Sequence, residues 1–215
     1  ATIVLGDQVV PATGILPPGF PGFSEAVSGY EFDPEKALRL LKESKYGNDL
    51  DNLPPITITT PGSFGANVSL DMEVVLAMWE KNLGIKTEFQ QTEFATFLKD
   101  LNKRRFQMFD IGWIADYPDP ENFLDILFYS DSSNNHTNYN NPVIDSLLEQ
   151  ARVETDETKR FLIYNEVEQT ILDDAPWIPL WYSGERYLLI KPNVKDYLQT
   201  PLIIPKLRHV YLTDK

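Results

Sequence analysis

Between residues 56 and 114, strand-like and helix-like segments alternate, and few folds accommodate that order. Ile56, Thr57, Ile58, Thr59 and Thr60 are β-branched and alternate in polarity, which predicts a strand. Beyond Pro61 and Gly62, the residues Val68, Met72, Val75, Leu76, Trp79 and Leu83 recur at helical spacing, predicting a helix over 67–83 that Gly84 stops. Residues 85–89 read as a second strand. Phe94, Phe97, Leu98 and Leu101 mark one face of a helix over 93–103, and residues 107–114 read as a third strand. A β-α-β-α-β order calls for a sheet with crossover helices.

Residues 1–32 break this regularity. Pro11, Gly14, Pro17, Pro18, Gly19, Pro21 and Gly22 forbid both helix and central strand, so the stretch reads as an extended connector on a domain surface. Asp33, Pro34 and Glu35 then form a helix start of capping acid, first-turn proline and first-turn acid, leading through Leu38 and Leu41 to about residue 47. In the second half, 142–153 presents Ile144, Leu147, Leu148 and Ala151 inward, and 156–173 presents Phe161, Tyr164, Val167 and Ile171. Residues 177–182, 187–190 and 207–212 read as strands.

The most chemically pointed stretch is Gly112, Trp113, Ile114, Ala115, Asp116, Tyr117, Pro118, Asp119, Pro120, Glu121, Asn122. It follows a strand signal, breaks at two prolines and re-enters an apolar run from Phe123. It is therefore an acidic aromatic loop at a strand's carboxyl end, the usual ligand position in open α/β sheets. Asp116 is the best candidate for ligand contact. Capping of the following helix by Asp116 or Asp119 is the competing reading.

Bulk composition narrows the classes. With 215 residues the chain has room for a full core. A net charge of -13, with Lys103, Arg104 and Arg105 as the longest basic group, argues against a nucleic-acid partner. There is no cysteine, which removes disulfides, thiol catalysis and cysteine metal sites. His136 and His209 are the only histidines and lack metal-motif spacing. Asp131, Ser133 and Asn135 echo a calcium loop, but His136 stands where its glycine belongs and Pro142 replaces the closing Glu. No cofactor or metal is implied. The tripeptides Asn67-Val68-Ser69 and Asn135-His136-Thr137 match the glycosylation pattern and carry no weight alone. The opening Ala1, Thr2, Ile3, Val4, Leu5 has no basic region, no cleavage site and no Met, as expected of a processed chain or a fragment.

Trp113, Ile114, Ala115, Asp116, Tyr117, Pro118, Asp119, Pro120 resembles a stretch of the peptide- and nickel-type solute-binding proteins (family 5) of bacterial and archaeal ABC importers. Further matching stretches, in the family's order, are Leu16-Pro17-Pro18-Gly19, Phe32-Asp33-Pro34-Glu35-Lys36-Ala37 with Leu40-Leu41, Asn138-Tyr139-Asn140-Asn141-Pro142, Asp156-Glu157-Thr158-Lys159-Arg160, and Asp174-Ala175-Pro176-Trp177-Ile178-Pro179-Leu180. The resemblance covers about residues 16–182. It implies an α/β, periplasmic-binding-protein-like lobe of the type II class, with a mixed β-sheet flanked by helices. Family members are over twice this length and close two lobes on a ligand, so the resemblance implies a C-terminal lobe over 33–200. Residues 1–32 would then come from a missing first lobe, and 201–215 would return toward it. It also implies peptide capture and delivery to permease subunits, outside the cell or in the periplasm, with a lipoprotein anchor in the full-length form.

In peptide-binding members an aspartate of this loop meets the peptide's α-amino group, and Asp116 is the matching position. Trp113 would be the apolar wall beside it, with Tyr117 and Tyr139 further candidates. Two rivals stand beside this reading. One is an oligosaccharide receptor stacking sugars on Trp113, Trp177, Trp181 and Tyr182, with Trp177 and Trp181 sharing one strand face. The other is a hydrolase that uses Asp116, Asp119 and Glu121 as acid and base.

Overall fold

The structure is a computed structural model describing residues 9–47, 49–62, 69–183, 189–197 and 207–213. It opens with β1 (Val9–Pro11). Next comes α1 (Pro34–Glu43), capped by the Asp33 carboxylate, which accepts from the Lys36 N–H at 2.8 Å. A 3-10 turn (Leu50–Asn52) leads into β2 (Ile56–Pro61) and α2 (Leu70–Leu83). Gly84 ends α2 at φ +69, a left-handed conformation that costs glycine little. β3 (Thr87–Thr92), α3 (Phe94–Asn102) and the short β4 (Met108–Phe109) complete the alternating half. Residues 67 and 68, expected at the start of α2, lie outside the described residues.

The main sheet is parallel, in the order β3-β2-β4, with Ile58 paired to Phe89 on one side and to Met108 on the other. Its central strand buries Ile58, Thr59 and Thr60. The third strand was expected to run through residue 114, yet pairing stops at Phe109. The Asp110 N–H still donates to the Thr59 carbonyl at 3.2 Å. The next rung needs an N–H at position 61, and Pro61 has none. The chain leaves the sheet there, which frees the residues after Asp110 to form a loop. In α3, Phe97 and Leu101 are buried as expected, but Phe94 is exposed at the helix's first position.

The second half is a helical layer of α4 (Glu121–Phe128), α5 (Pro142–Val153) and α6 (Glu157–Asp174). Leu124, Phe128, Ile144, Leu148, Tyr164 and Val167 form its dry centre. The proline- and glycine-rich segment is not confined to the surface. It contributes Ile15, Leu16 and Val27 to this core. The Ile15 and Leu16 N–H groups donate to one oxygen of Glu168 on α6, at 2.6 and 2.8 Å. Gly22 is required where the segment turns: its φ is +79, and a Cβ there would lie 2.6 Å from Pro120 Cγ.

Among the described residues, three short strands follow: β5 (Trp181–Ser183), β6 (Val194–Lys195) and β7 (Tyr211–Leu212). β1 pairs antiparallel with β5, and β6 with β7, so the antiparallel component of this α/β lobe sits in ladders separate from the parallel one. Residues 177–180, expected as strand, are irregular, with Pro179 among them. Of the expected strand 187–190, positions 187 and 188 lie outside the described residues, and Leu189 and Ile190 are exposed without strand pairing. Residues 207–209, also expected as strand, form a 3-10 turn before β7.

Candidate functional site

The loop from Asp110 to Pro120 is folded over the first turn of α4 by one buried side chain. Asn122 is fully buried, and its Oδ1 accepts from the Trp113 indole at 3.1 Å and from the Asp116 N–H at 3.3 Å. Ala115 is buried beneath the loop, so its neighbour Asp116 turns outward. The Asp116 carboxylate is exposed and has no hydrogen bond or ion pair among the described residues.

Asp119, three residues on, has the opposite fate. Its Oδ1 accepts from the Glu121 N–H at 3.0 Å, and both its oxygens meet the Arg160 guanidinium at 2.7 Å. Arg160 is itself held by the Ala151 carbonyl at 3.1 Å and the Tyr164 hydroxyl at 3.2 Å. Burial pushes the Asp119 carboxyl up, but Arg160 and the Glu121 N–H outweigh it and hold the group below its ordinary value. Asp119 thus braces the first residue of α4 and ties it to α6, and within residues 113–120 it leaves Asp116 as the unpaired carboxylate. The Tyr117 hydroxyl donates to Glu121, and burial followed by that acceptor raises its proton affinity.

Replacing Arg160 with Met is expected to cost roughly 1–3 kcal/mol, because the pair is half-shielded and its loss strands a carboxylate. Urea unfolding reads that cost. Faster amide exchange over residues 116–121 should accompany it.

Tyr139 does not join this loop cluster. Its hydroxyl donates to Asp174 Oδ2 at 2.5 Å, and Asn141 Nδ2 donates to both at 3.2 and 2.9 Å. Its ring meets Phe128 edge-on, with centroids 6.2 Å apart. Tyr139 lines a cavity of about 700 Å³ that includes Asp110 and Ile111 but not Trp113, Asp116 or Tyr117. The loop before Tyr139 is organised by the buried Asn135. Its Nδ2 donates to the carbonyls of Tyr129 and Tyr139 at 3.2 and 2.7 Å, and its Oδ1 accepts from the Tyr139 N–H at 3.1 Å.

Two aromatic residues of the sugar reading, Trp177 and Tyr182, make contacts inside the lobe. Trp177 packs on Phe128 with centroids 4.8 Å apart, and it precedes β5, so it and Trp181 do not share one strand face. The Tyr182 hydroxyl donates to the Gly14 carbonyl and accepts from the Gly14 N–H, both at 2.9 Å. The three carboxylates of the hydrolase reading do not form an acid–base pair either. A general acid needs a raised carboxyl, whereas Asp119 is ion-paired and lowered, and Glu121 accepts from Tyr117. Sequence reasoning missed Asn122, Arg160 and Asn135. All three sit in ordinary polar surroundings, Asn122 directly after Asp119, Pro120 and Glu121, so no local pattern marks them.

The sequence model for bacterial extracellular solute-binding proteins, family 5 Middle, matches residues 1–135. The chain is 29% identical to the oligopeptide-binding protein OppA of Bacillus subtilis over 221 residues, covering 99% of this chain and 38% of that one. It is 31% identical to heme-binding protein A of Haemophilus influenzae, covering 86% of this chain and 34% of that one. The solved structure of the Escherichia coli murein tripeptide binding protein MppA superposes with a TM-score of 0.83 at 30% identity, over 99% of this chain and 42% of the other. The chain therefore spans about two fifths of the length of these relatives. The fold is that of the type II periplasmic binding proteins, whose members in this family are binding proteins rather than enzymes. Among the described residues no helix is long and apolar enough to cross a membrane. With more than half its length matched by the family's sequence model and nearly all of it by the fold, the chain belongs to the extracellular solute-binding proteins of family 5.

Proposed function

We propose that this chain is the C-terminal lobe of a receptor that captures a peptide by its α-amino group and delivers it to the permease subunits of an ABC importer. The observation that carries the reading is the unpaired, outward Asp116 carboxylate on a loop locked from below by Asn122 and from the side by Asp119 and Arg160. A rigid carboxylate meets an ammonium without first losing another partner. At ~4 Å and an effective dielectric near 20 the attraction is about 4 kcal/mol before desolvation. A net gain of about 1.5–3 kcal/mol remains. Trp113 and Tyr117 flank the anchor, and Tyr139 stands at the more distant cavity. The names of the oligopeptide- and murein tripeptide-binding relatives support the ligand class.

In this reading residues 33–200 are the lobe, with Ile15, Leu16 and Val27 of the preceding segment packed into its core. Residues 1–32 and 201–215 lead to the remainder of a longer, secreted and lipid-anchored receptor. No chemistry is performed on the ligand. Closure of a second lobe supplies the rest of the contacts, so this chain alone binds at millimolar strength.

An amide-shift titration with a free tripeptide, its N-acetylated twin and cellobiose tests the anchor. Shifts over residues 113–119 are expected with the free peptide only, and Asp116→Asn is expected to weaken them at least tenfold. Equal shifts with the acetylated twin, or shifts with cellobiose instead, would overturn it.

A further inference from the structure

The 700 Å³ cavity opens where β4 gives way to the Asp116 loop, and neither the anchor nor the core accounts for it. Its size falls within the range of small-molecule pockets. Met72 and Trp79 of α2, Phe106, Met108 and Trp177 give it apolar walls. Most of its polar lining is already engaged. Arg104 Nε donates to the Asn135 carbonyl at 3.2 Å, and its Nη1 donates to Asn138 Oδ1 at 2.8 Å. Gln107 Oε1 accepts from the Thr57 N–H at 2.8 Å, the Thr137 hydroxyl donates to Asn135, and the Tyr139 hydroxyl donates to Asp174. Burial and the neighbouring Arg104 hold the His136 imidazole below its ordinary value, which disfavours its cation.

Asp110 differs from these. Its side chain is half-buried in the cavity wall and has no hydrogen bond or ion pair among the described residues. Burial and then the like charge of Asp71 on α2 raise its carboxyl, and an arriving cation favours the ionised form against both. An unpaired carboxylate in the wall of a largely apolar chamber complements one kind of side chain, a long hydrocarbon stem with a positive head.

We propose that this cavity is a side-chain pocket for a lysine of the captured peptide, with the methylenes against Met72, Trp79, Phe106 and Met108 and the ammonium on Asp110. The proposal rests on the peptide reading above and adds a preference to it. A desolvated charge-assisted hydrogen bond favours lysine over an isosteric apolar side chain by roughly tenfold or more.

The test uses blocked ligands, N-acetyl-lysine N-methylamide and N-acetyl-norleucine N-methylamide, titrated into the chain and followed by the Met72 and Met108 methyl and Trp79 and Trp177 indole signals. Neither ligand has an α-amine, so neither depends on Asp116. The blocked lysine is expected to shift these signals with a roughly tenfold lower Kd than norleucine. Asp110→Asn should abolish that preference, and Asp110→Glu should retain most of it. Norleucine binding as tightly as lysine, silent cavity signals, or a lysine preference surviving in D110N would overturn the pocket. Such a failure leaves the amine anchor intact, because free tripeptides report on that separately.

Discussion

Phe128→Ala is expected to lower the unfolding free energy by about 3–5 kcal/mol, the cost of deleting a buried aromatic ring from a helical core. Phe128 ends α4, is fully buried, and holds Trp177 at 4.8 Å and the edge of Tyr139 at 6.2 Å between ring centroids. The cavity left behind has little freedom to collapse. Its walls belong to helices tied at their ends: Asp174 is bound to Tyr139 and Asn141, and Arg152 forms a bidentate pair with Asp125 at 2.7 Å. Phe128→Leu keeps most of the volume and should cost about 1–2 kcal/mol. The check is a urea melt followed by tryptophan fluorescence, where the midpoint moves and the slope does not. A loss below about 1 kcal/mol for the alanine variant would mean that the layer repacks and is looser than its burial implies.

Glu168→Ala is expected to cost about 2–5 kcal/mol, because two buried N–H groups of Ile15 and Leu16 lose their common acceptor. Glu168 is 2% exposed, and the segment passes so close that a Cβ on Gly14 would stand 2.6 Å from its Oε1. Glu168→Gln keeps an acceptor oxygen and should cost about 1 kcal/mol at neutral pH. Burial raises the Glu168 carboxyl above its ordinary value against the opposing pull of the Leu16 and Ile15 N–H groups. A raised acid holds its proton in the folded state after the unfolded chain has lost it. Its contribution is therefore full below the unfolded value of about 4.3 and declines as pH rises through the folded value. The advantage of wild type over E168Q should be greatest in acid and shrink toward neutral pH. Paired thermal melts at several pH values measure that difference. Asp119, whose carboxyl is lowered, works in the opposite direction in acid and cancels in the comparison because both proteins carry it. An advantage that grows with pH would show that the two N–H bonds outweigh burial.

What the sequence determined by itself was local. Asp33 and Pro34 start α1, Gly84 ends α2, and Ile144, Leu148 and Ala151 turn inward from α5, because caps, left-handed glycines and helical spacing act within a few residues. The aspartate loop at the end of the third strand was legible for the same reason. Which aspartate stays free was not, because Arg160 reaches Asp119 across 41 positions of chain and leaves Asp116 alone. Nor was the place of the proline-rich segment, which composition assigns to a surface and which Glu168, 152 positions from Leu16, ties into the core. The third strand stops early because Pro61 on a neighbouring strand lacks one N–H, which no pattern within 107–114 records. Those outcomes belong to the tertiary structure alone: a hydrogen bond or ion pair forms between groups that folding brings together, and burial decides which of several chemically equal side chains is left without a partner.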